Sequence, residues 1–561
     1  MLNRLWKNII NDMSKKDWLI LFAIASCAIL VRLFLMSKSY AIGFDQVNYL
    51  KLAASGKING FNHVFHTYWS PFYPLIVALF SYVIRDFELA GRLLSILCAV
   101  VIIFPLFFFV KNHFNKRIAY GASILTACYT FSAYFSVKAE TEFIYSLVSL
   151  GGIILGWSAL KSKRYGKAIL AGILFGLAYL SRPEGIGFLI VFWVVGFVIL
   201  ISQIINRRKF VSYLYILVLS GIGFGAVSFP YLYYLHQATG TWTISTKGIA
   251  NQLGEKYLRE KKENEPHPFH VLNEDNTILL QDEVYHTGNF TTMLKPGSES
   301  GSKNLVAGIA KKLFENLYKL LTEAFTRVLP IPLIILLGLG LFVKPWSRES
   351  TLLNLYLLSY IVFFWFILIP VFHITLRYFV PLLPVSFIWI ASGADNFMEW
   401  LTATIKNSFE KLPAKLISLI VLISAILFSS ILPEFGKQFK KSILSTEEWA
   451  PASEQKKAGI WLRENSADSP IIMAYNHAVS FYAGNYEIKE SVEIPENGVD
   501  RLLKYAEHRG VQYLVLNDRY KHHHPLIEHL YEQRDVPLNL KLIYYDSEKN
   551  GLQTVIYEVM D

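Results

Sequence analysis

The sequence predicts a polytopic α-helical membrane protein of about eleven transmembrane helices with a C-terminal extracytoplasmic α/β domain. Three observations carry this. Of 561 residues, 53% are hydrophobic and 15% aromatic, and the mean hydropathy is positive, which is too apolar for a soluble chain of this length. The apolar residues gather in runs close to the roughly 20 that one crossing needs. From residue 434 onward the pattern changes to short β-branched runs alternating with amphipathic helical stretches.

The runs at 18–36, 89–110, 118–137, 142–160, 167–181, 186–205, 211–235, 327–343, 351–372, 378–395 and 415–433 read as spans. The first follows a basic, amphipathic segment, and Arg32-Leu33-Phe34 does not look like a small-residue cleavage site, so the run is expected to be retained. The run 71–84 is too short to cross and reads as interfacial or re-entrant.

Loop charge fixes the orientation. With a cytoplasmic N-terminus, the inside segments carry Lys15/Lys16, Lys111/Lys116/Arg117, Lys161/Lys163/Arg164, Arg207/Arg208/Lys209, Lys344/Arg348 and Lys406/Lys411. Counting 71–84 as a crossing would invert every later segment and break this pattern repeatedly. The formal charge of +11 is thereby explained by topology, and no nucleic-acid partner is expected.

The expected domains are a membrane module over 1–433, with outer loops 37–88 and 236–326, and an outer α/β domain over 434–561. In that domain, helices are predicted around 451–465, 498–509 and 525–533. Strands are predicted at 470–475 and 512–516, followed by a hairpin-like pair at 540–546 and 553–559, in a parallel-leaning sheet. The stretch 296–304 has a disordered composition. Cys27, Cys98 and Cys128 lie in apolar runs, which points to core packing rather than disulfides or a cysteine zinc site.

The outer ends of the spans collect ionisable residues, and such groups beside lipid are costly unless they serve a purpose. Asp45, flanked by Phe44 and Tyr49, can be desolvated enough to act as a general base. It can equally be the N-cap of the helix that follows, and the sequence leaves the two readings open. Glu140 and Glu142 open a span, where the helix dipole favours one acid but not obviously two. Arg377, Arg182 and Arg92 are the candidate phosphate ligands, since guanidinium pairs bidentately with its oxygens; pairing with Glu184 or Glu142 is the structural alternative. Tyr49, His66, Glu184 and His373 complete the candidate substrate contacts. His63-x-x-His66 has metal-compatible spacing but no nearby Cys or acid, so a metal ligand set is unassigned and a divalent metal is left open. His522-His523-His524 reads as a solvated turn.

The ordered motifs Phe44-Asp45-Gln46-x-x-Tyr49, Ser70-Pro-Phe-Tyr-Pro-Leu75, Arg92-Leu-Leu-Ser95, Thr141-Glu142, Leu180-Ser-Arg-Pro-Glu-Gly185 and Arg377-Tyr-x-x-Pro-x-x-Pro384 resemble the GT-C glycosyltransferases. The branch they resemble most is that of the dolichyl-phosphate-mannose protein mannosyltransferases and the aminoarabinose transferases, over roughly residues 18–400. The resemblance implies a polyprenyl-phosphate-linked sugar donor and transfer on the outer face. Attack from the side opposite the phosphate would invert the anomeric centre. Protein, lipid and glycan acceptors all stay open, and a bacterial inner membrane is the expected location. The resemblance maps the catalytic carboxylate onto Asp45. Where the family often carries a second adjacent acid this chain has Gln46, so Glu142 or Glu140 is expected to supply the second carboxylate. A transporter or flippase of lipid-linked sugars is the competing expectation, although no internal repeat is visible.

Overall fold

The computed structural model describes residues 13–208, 210–247, 270–273, 276–278, 313–343, 346–372, 374–408, 413, 418, 453–466, 469–475, 477–487, 490–547 and 552–560. Among the described residues, seven helices are long and apolar enough to cross a membrane: Lys15–Lys38, Phe87–His113, Glu142–Ser162, Pro183–Ile205, Val211–Thr239, Arg348–Val371 and Leu376–Asn407. Tyr165–Ser181 is a shorter apolar helix, and the pair Leu313–Val328 and Ile331–Leu341 turns through 100° at its break. The run 71–84, expected to be interfacial or re-entrant, forms the nine-residue helix Phe72–Phe80. The protein is an integral membrane protein. Its predicted run 415–433, apart from residue 418, and most of the loop 236–326, including 296–304, lie outside the described residues.

Two expected spans differ in form. The run 118–137 is not one helix: Lys116–Cys128 and Thr130–Phe135 meet at Tyr129, whose extended backbone (φ −63°, ψ 111°) ends the first. Carbonyls freed at such a break need partners in an apolar setting. Arg32, fully buried in the first helix, supplies them by donating to the carbonyls of Ala127 at 2.7 Å and Thr126 at 3.2 Å. The run 327–343 is the second exception, since the 100° turn between Val328 and Ile331 divides it. Of the three cysteines only Cys98 is a core residue. Cys27 and Cys128 are exposed on neighbouring helices with their sulfurs 3.9 Å apart.

The C-terminal sheet has five strands, β1 (Ile472–Ala474), β2 (Ser491–Val492), β3 (Tyr513–Asn517), β4 (Leu540–Ser547) and β5 (Gln553–Val559), in the order β2-β1-β3-β5-β4. The first three run parallel; β5 is antiparallel to both β3 and β4. The sheet is therefore mixed, with the predicted hairpin as its antiparallel half. His524 is buried rather than solvated, bonded to the Tyr531 hydroxyl and the Ile494 carbonyl.

This domain docks on the helix Phe44–Asn59, which lies outside the spans. Asn48 bonds His477 at 3.0 Å, and the buried Lys51 ammonium donates to Ser480, to the Glu487 carbonyl and to Ser491. The Tyr482 hydroxyl accepts from the Ile42 amide and donates to Glu88, each at 3.0 Å. The helix that carries Asp45 is thus clamped between the bundle and the soluble domain.

Candidate active site

The helix Phe44–Asn59 has Gly43 as its N-cap, and no side chain caps it. Asp45 is therefore inside the first turn and is not the cap that the sequence also allowed. Its carboxylate pairs with Arg377 at 2.5 Å. The neighbouring Gln46 is buried, and its amide oxygen accepts the Ala139 N–H at 3.3 Å. The residue standing where a second acid is common thus holds the loop that presents Glu140. Ser95 steadies the same loop by donating to the Glu140 carbonyl at 3.2 Å.

Arg182 is placed by local sequence. Pro183 restricts the residue before it to extended backbone, and Arg182 adopts φ −154°, ψ 134° as the helix Tyr165–Ser181 ends. The chain then folds back so tightly at Gly185 that an added Cβ would come within 2.3 Å of the Ala178 backbone. This turn aims the guanidinium at Glu142, at 2.7 Å, and at Glu184, at 2.5 Å, and stacks it on the Tyr378 ring at 4.6 Å. Glu142 sits in the first turn of its helix, only 1% exposed.

Arg377 lies in the 3₁₀ turn Leu376–Leu382, which precedes a long buried helix. Its three nitrogens face three acids: one meets Asp45 at 2.5 Å, and the others lie 3.9 Å from Glu140 and Glu142. One oxygen each of Glu140 and Glu142 and the Nε of Arg377 are buried without a hydrogen-bond partner among the described residues. Buried polar atoms are rarely left unpaired without cause, and all three belong to residues that meet at the Arg377 guanidinium. Among the described residues, no group of three or more His, Cys, Asp or Glu is disposed to hold a metal ion. A guanidinium stands between the three carboxylates, so the acids do not form an open ligand set.

These groups form the polar end of a cavity of about 360 Å³. Its other end is apolar, walled by Ile186, Phe188 and Ile190 from one membrane helix and by Phe363, Phe364 and Leu368 from a π-helical stretch, Val362–Leu368, of another. Ile190 is 43% exposed on the outside of the bundle, so this wall continues onto the surface that would meet lipid.

The electrostatics separate the acids. Burial opposes ionisation of Asp45, but Arg377 and Lys247 overcome it and hold its carboxyl below the usual range. Burial, reinforced by the Glu142 charge, pushes Glu140 up to about 7. Burial also keeps the Tyr49 phenol well above its ordinary value, so it is a donor and not a base.

Of the residues singled out from sequence, Asp45, Tyr49, Glu140, Glu142, Arg182, Glu184 and Arg377 all line this cavity. Two do not. Arg92 pairs with Glu88 at 2.7 Å and donates to the carbonyls of Ser39 and Ala41, fixing the chain before the Asp45 helix. The His66 ring accepts the backbone N–H groups of Tyr68 and Trp69, and so shapes a turn. His63 bonds locally to Asn62, and His373 lies outside the described residues. Sequence reasoning missed Lys247, which lines the cavity from the loop after Val211–Thr239. A single lysine among Thr and Ser residues carries no pattern that could have marked it.

Residues 68–234 match the profile of the dolichyl-phosphate-mannose-protein mannosyltransferase family. No curated protein matches the sequence. Among solved structures, the oligosaccharyltransferase of Archaeoglobus fulgidus, in complex with Zn and sulfate, is similar at 14% identity and a TM-score of 0.55, over 96% of this chain and 73% of that one. ArnT of Cupriavidus metallidurans bound to undecaprenyl phosphate is similar at 13% identity and a TM-score of 0.51, over 97% and 98%. Its apo form gives 12% identity and the same TM-score over 96% and 97%. The chain therefore has the fold of the GT-C membrane glycosyltransferases, and the resemblance read from its motifs, to the branch of the protein mannosyltransferases and ArnT, holds at the level of that fold.

Proposed function

We propose that this protein is a membrane glycosyltransferase that moves a sugar from a polyprenyl-phosphate carrier to a hydroxyl acceptor, with inversion, on the extracytoplasmic side. The observation that carries the reading is one cavity with two characters. Its acid–arginine end suits a sugar phosphate, and its apolar end, open at Ile190, suits the adjoining isoprenoid chain. Residues 1–433 then form the catalytic membrane module and 434–561 an outer domain, with the N-terminus cytoplasmic in a bacterial inner membrane. The basic inside loops and the docking of the soluble domain on the Asp45 helix support that orientation.

Asp45 takes the proton of the acceptor hydroxyl as its oxygen attacks the anomeric carbon. The bond from that carbon to the phosphate oxygen breaks, and the phosphate leaves with the electron pair. In the free protein Arg377 holds Asp45 ionised, and so ready to accept a proton. A donor phosphate competes for the same guanidinium, which raises the proton affinity of Asp45 only when the donor is in place. Glu140 and Glu142, which line the same cavity, face the remaining sugar hydroxyls. The acceptor is a protein, lipid or glycan hydroxyl.

The test is incubation of the purified protein, reconstituted in vesicles, with a polyprenyl-phosphate sugar. Free polyprenyl phosphate accumulating with a glycosylated acceptor supports transfer. Intact donor appearing in the opposite leaflet, with no release, would replace the reading by a flippase.

A further inference from the structure

Three cations line the cavity wall, and they are not equivalent. Arg182 is already in two ion pairs, with Glu142 at 2.7 Å and Glu184 at 2.5 Å. Arg377 is bound to Asp45 at 2.5 Å and faces two further acids. Lys247 has no carboxylate within ion-pair distance among the described residues, and its ammonium rests on two ring faces, 4.8 Å from Trp69 and 5.0 Å from Tyr68. Aromatic faces attract a cation only weakly compared with an anion.

The position of Lys247 is built. Just before it, the buried Thr246 donates to the Thr67 carbonyl at 2.6 Å, and the Tyr179 hydroxyl holds the Ile244 carbonyl at 2.7 Å. The Lys247 amide closes the turn onto Ser245 at 3.1 Å. These bonds pin the segment against the Tyr68–Trp69 wall at the polar end of the cavity, while the long lysine stem keeps its freedom to swing. Desolvation, helped by the neighbouring Arg182 and Arg377 charges, outweighs the more distant Asp45 and Glu184 and leaves the ammonium easier to deprotonate than usual.

We infer that Lys247 is the primary ligand of the donor's phosphate: an uncommitted ammonium that leaves the Tyr68 and Trp69 faces for the phosphate oxygens, while Arg182 serves as an internal counter-ion and Arg377 is shared between the phosphate and Asp45. This rests on the donor reading above and makes it residue-specific. It moves the phosphate away from Arg182, whose charge is already matched by two carboxylates, and towards the side of the cavity formed by Tyr68, Ser70 and Lys247.

The experiment measures binding rather than turnover. The full-length protein in detergent is titrated with undecaprenyl phosphate and, separately, with uncharged undecaprenol. Lys247→Met is expected to weaken the phosphate ligand by about 10–100-fold, the loss of one charge-assisted hydrogen bond, and to leave undecaprenol unchanged. Lys247→Arg is expected to restore most of the difference. Equal phosphate affinity in Lys247→Met and wild type would overturn the inference alone, as would a loss that is the same for both ligands. A wild-type protein with no preference for the phosphate over the alcohol would overturn the donor reading itself, and this inference with it.

Discussion

Replacing Arg182 by methionine tests the division of labour among the cations. The substitution preserves stem volume but removes the charge that neutralises Glu142 and Glu184. Glu142 is 1% exposed and cannot regain water, whereas Glu184 is 28% exposed and partly can. Removing one partner of a buried pair costs about 3–5 kcal/mol, because the other charge is left uncompensated. Most of that loss belongs to Glu142, since exposed pairs contribute little. Because Arg377 remains 3.9 Å from Glu142, Arg182→Met is expected at the lower end of that range, a loss of about 3 kcal/mol read from reversible denaturation in detergent. The double variant Arg182→Met/Glu142→Gln should recover most of it. If Arg182 were instead a phosphate ligand standing free in the apo protein, the single variant would keep its stability and lose only affinity for the donor. That result would refute the counter-ion assignment.

Three further outcomes follow from the same geometry. Gly187 leaves no room for a side chain: an added Cβ would meet Phe363 at 2.6 Å and Phe364 at 3.0 Å. Gly187→Leu should therefore block the apolar arm, raising KM for a long-chain donor at least about tenfold while affecting a short-chain analogue less. Glu140 makes stability depend on pH. Its carboxyl is raised in the fold from an ordinary 4.5 to about 7, so the native state binds more protons than the unfolded chain across that window. Stability contributed by this group is present at low pH and lost as pH rises through about 7; Glu140→Gln should flatten the decline in thermal midpoint between pH 4.5 and 7. Tyr482→Phe removes a buried hydroxyl that joins Ile42 to Glu88, and should loosen the soluble domain by about 1 kcal/mol or more, seen as faster hydrogen exchange in residues 44–59.

How legible this was in the sequence depends on what kind of signal each feature leaves. Long apolar runs and one-sided loop charge mark spans directly, and the helices at 15–38, 87–113, 142–162, 183–205, 211–239, 348–371 and 376–407 lie where those runs do. The break at Tyr129 leaves no trace in composition, because an apolar stretch reads the same whether or not its hydrogen bonds continue. Only Arg32, an isolated charge inside a span, hinted that some backbone needed a donor. β2 is two residues long and gives no periodicity to detect. Asp45, Glu140, Glu142, Arg182 and Arg377 were visible because charge at a membrane boundary is costly and therefore informative. The same argument selected Arg92 and His66, whose work turned out to be holding backbone. Lys247 escaped because nothing in its neighbours distinguishes a lysine aimed into a cavity from one in water.

The central claim is that Asp45 accepts the proton when the sugar is transferred, and single-turnover transfer by purified Asp45→Asn tests it most directly. Asparagine keeps the shape and removes the basicity. With correct folding verified by an unchanged response to undecaprenol, the rate from a polyprenyl-phosphate sugar is predicted to fall by about 10²–10⁴-fold, the usual contribution of a positioned general base. A variant that transfers at a rate close to wild type would contradict the account and leave Asp45 only as the counter-ion of Arg377.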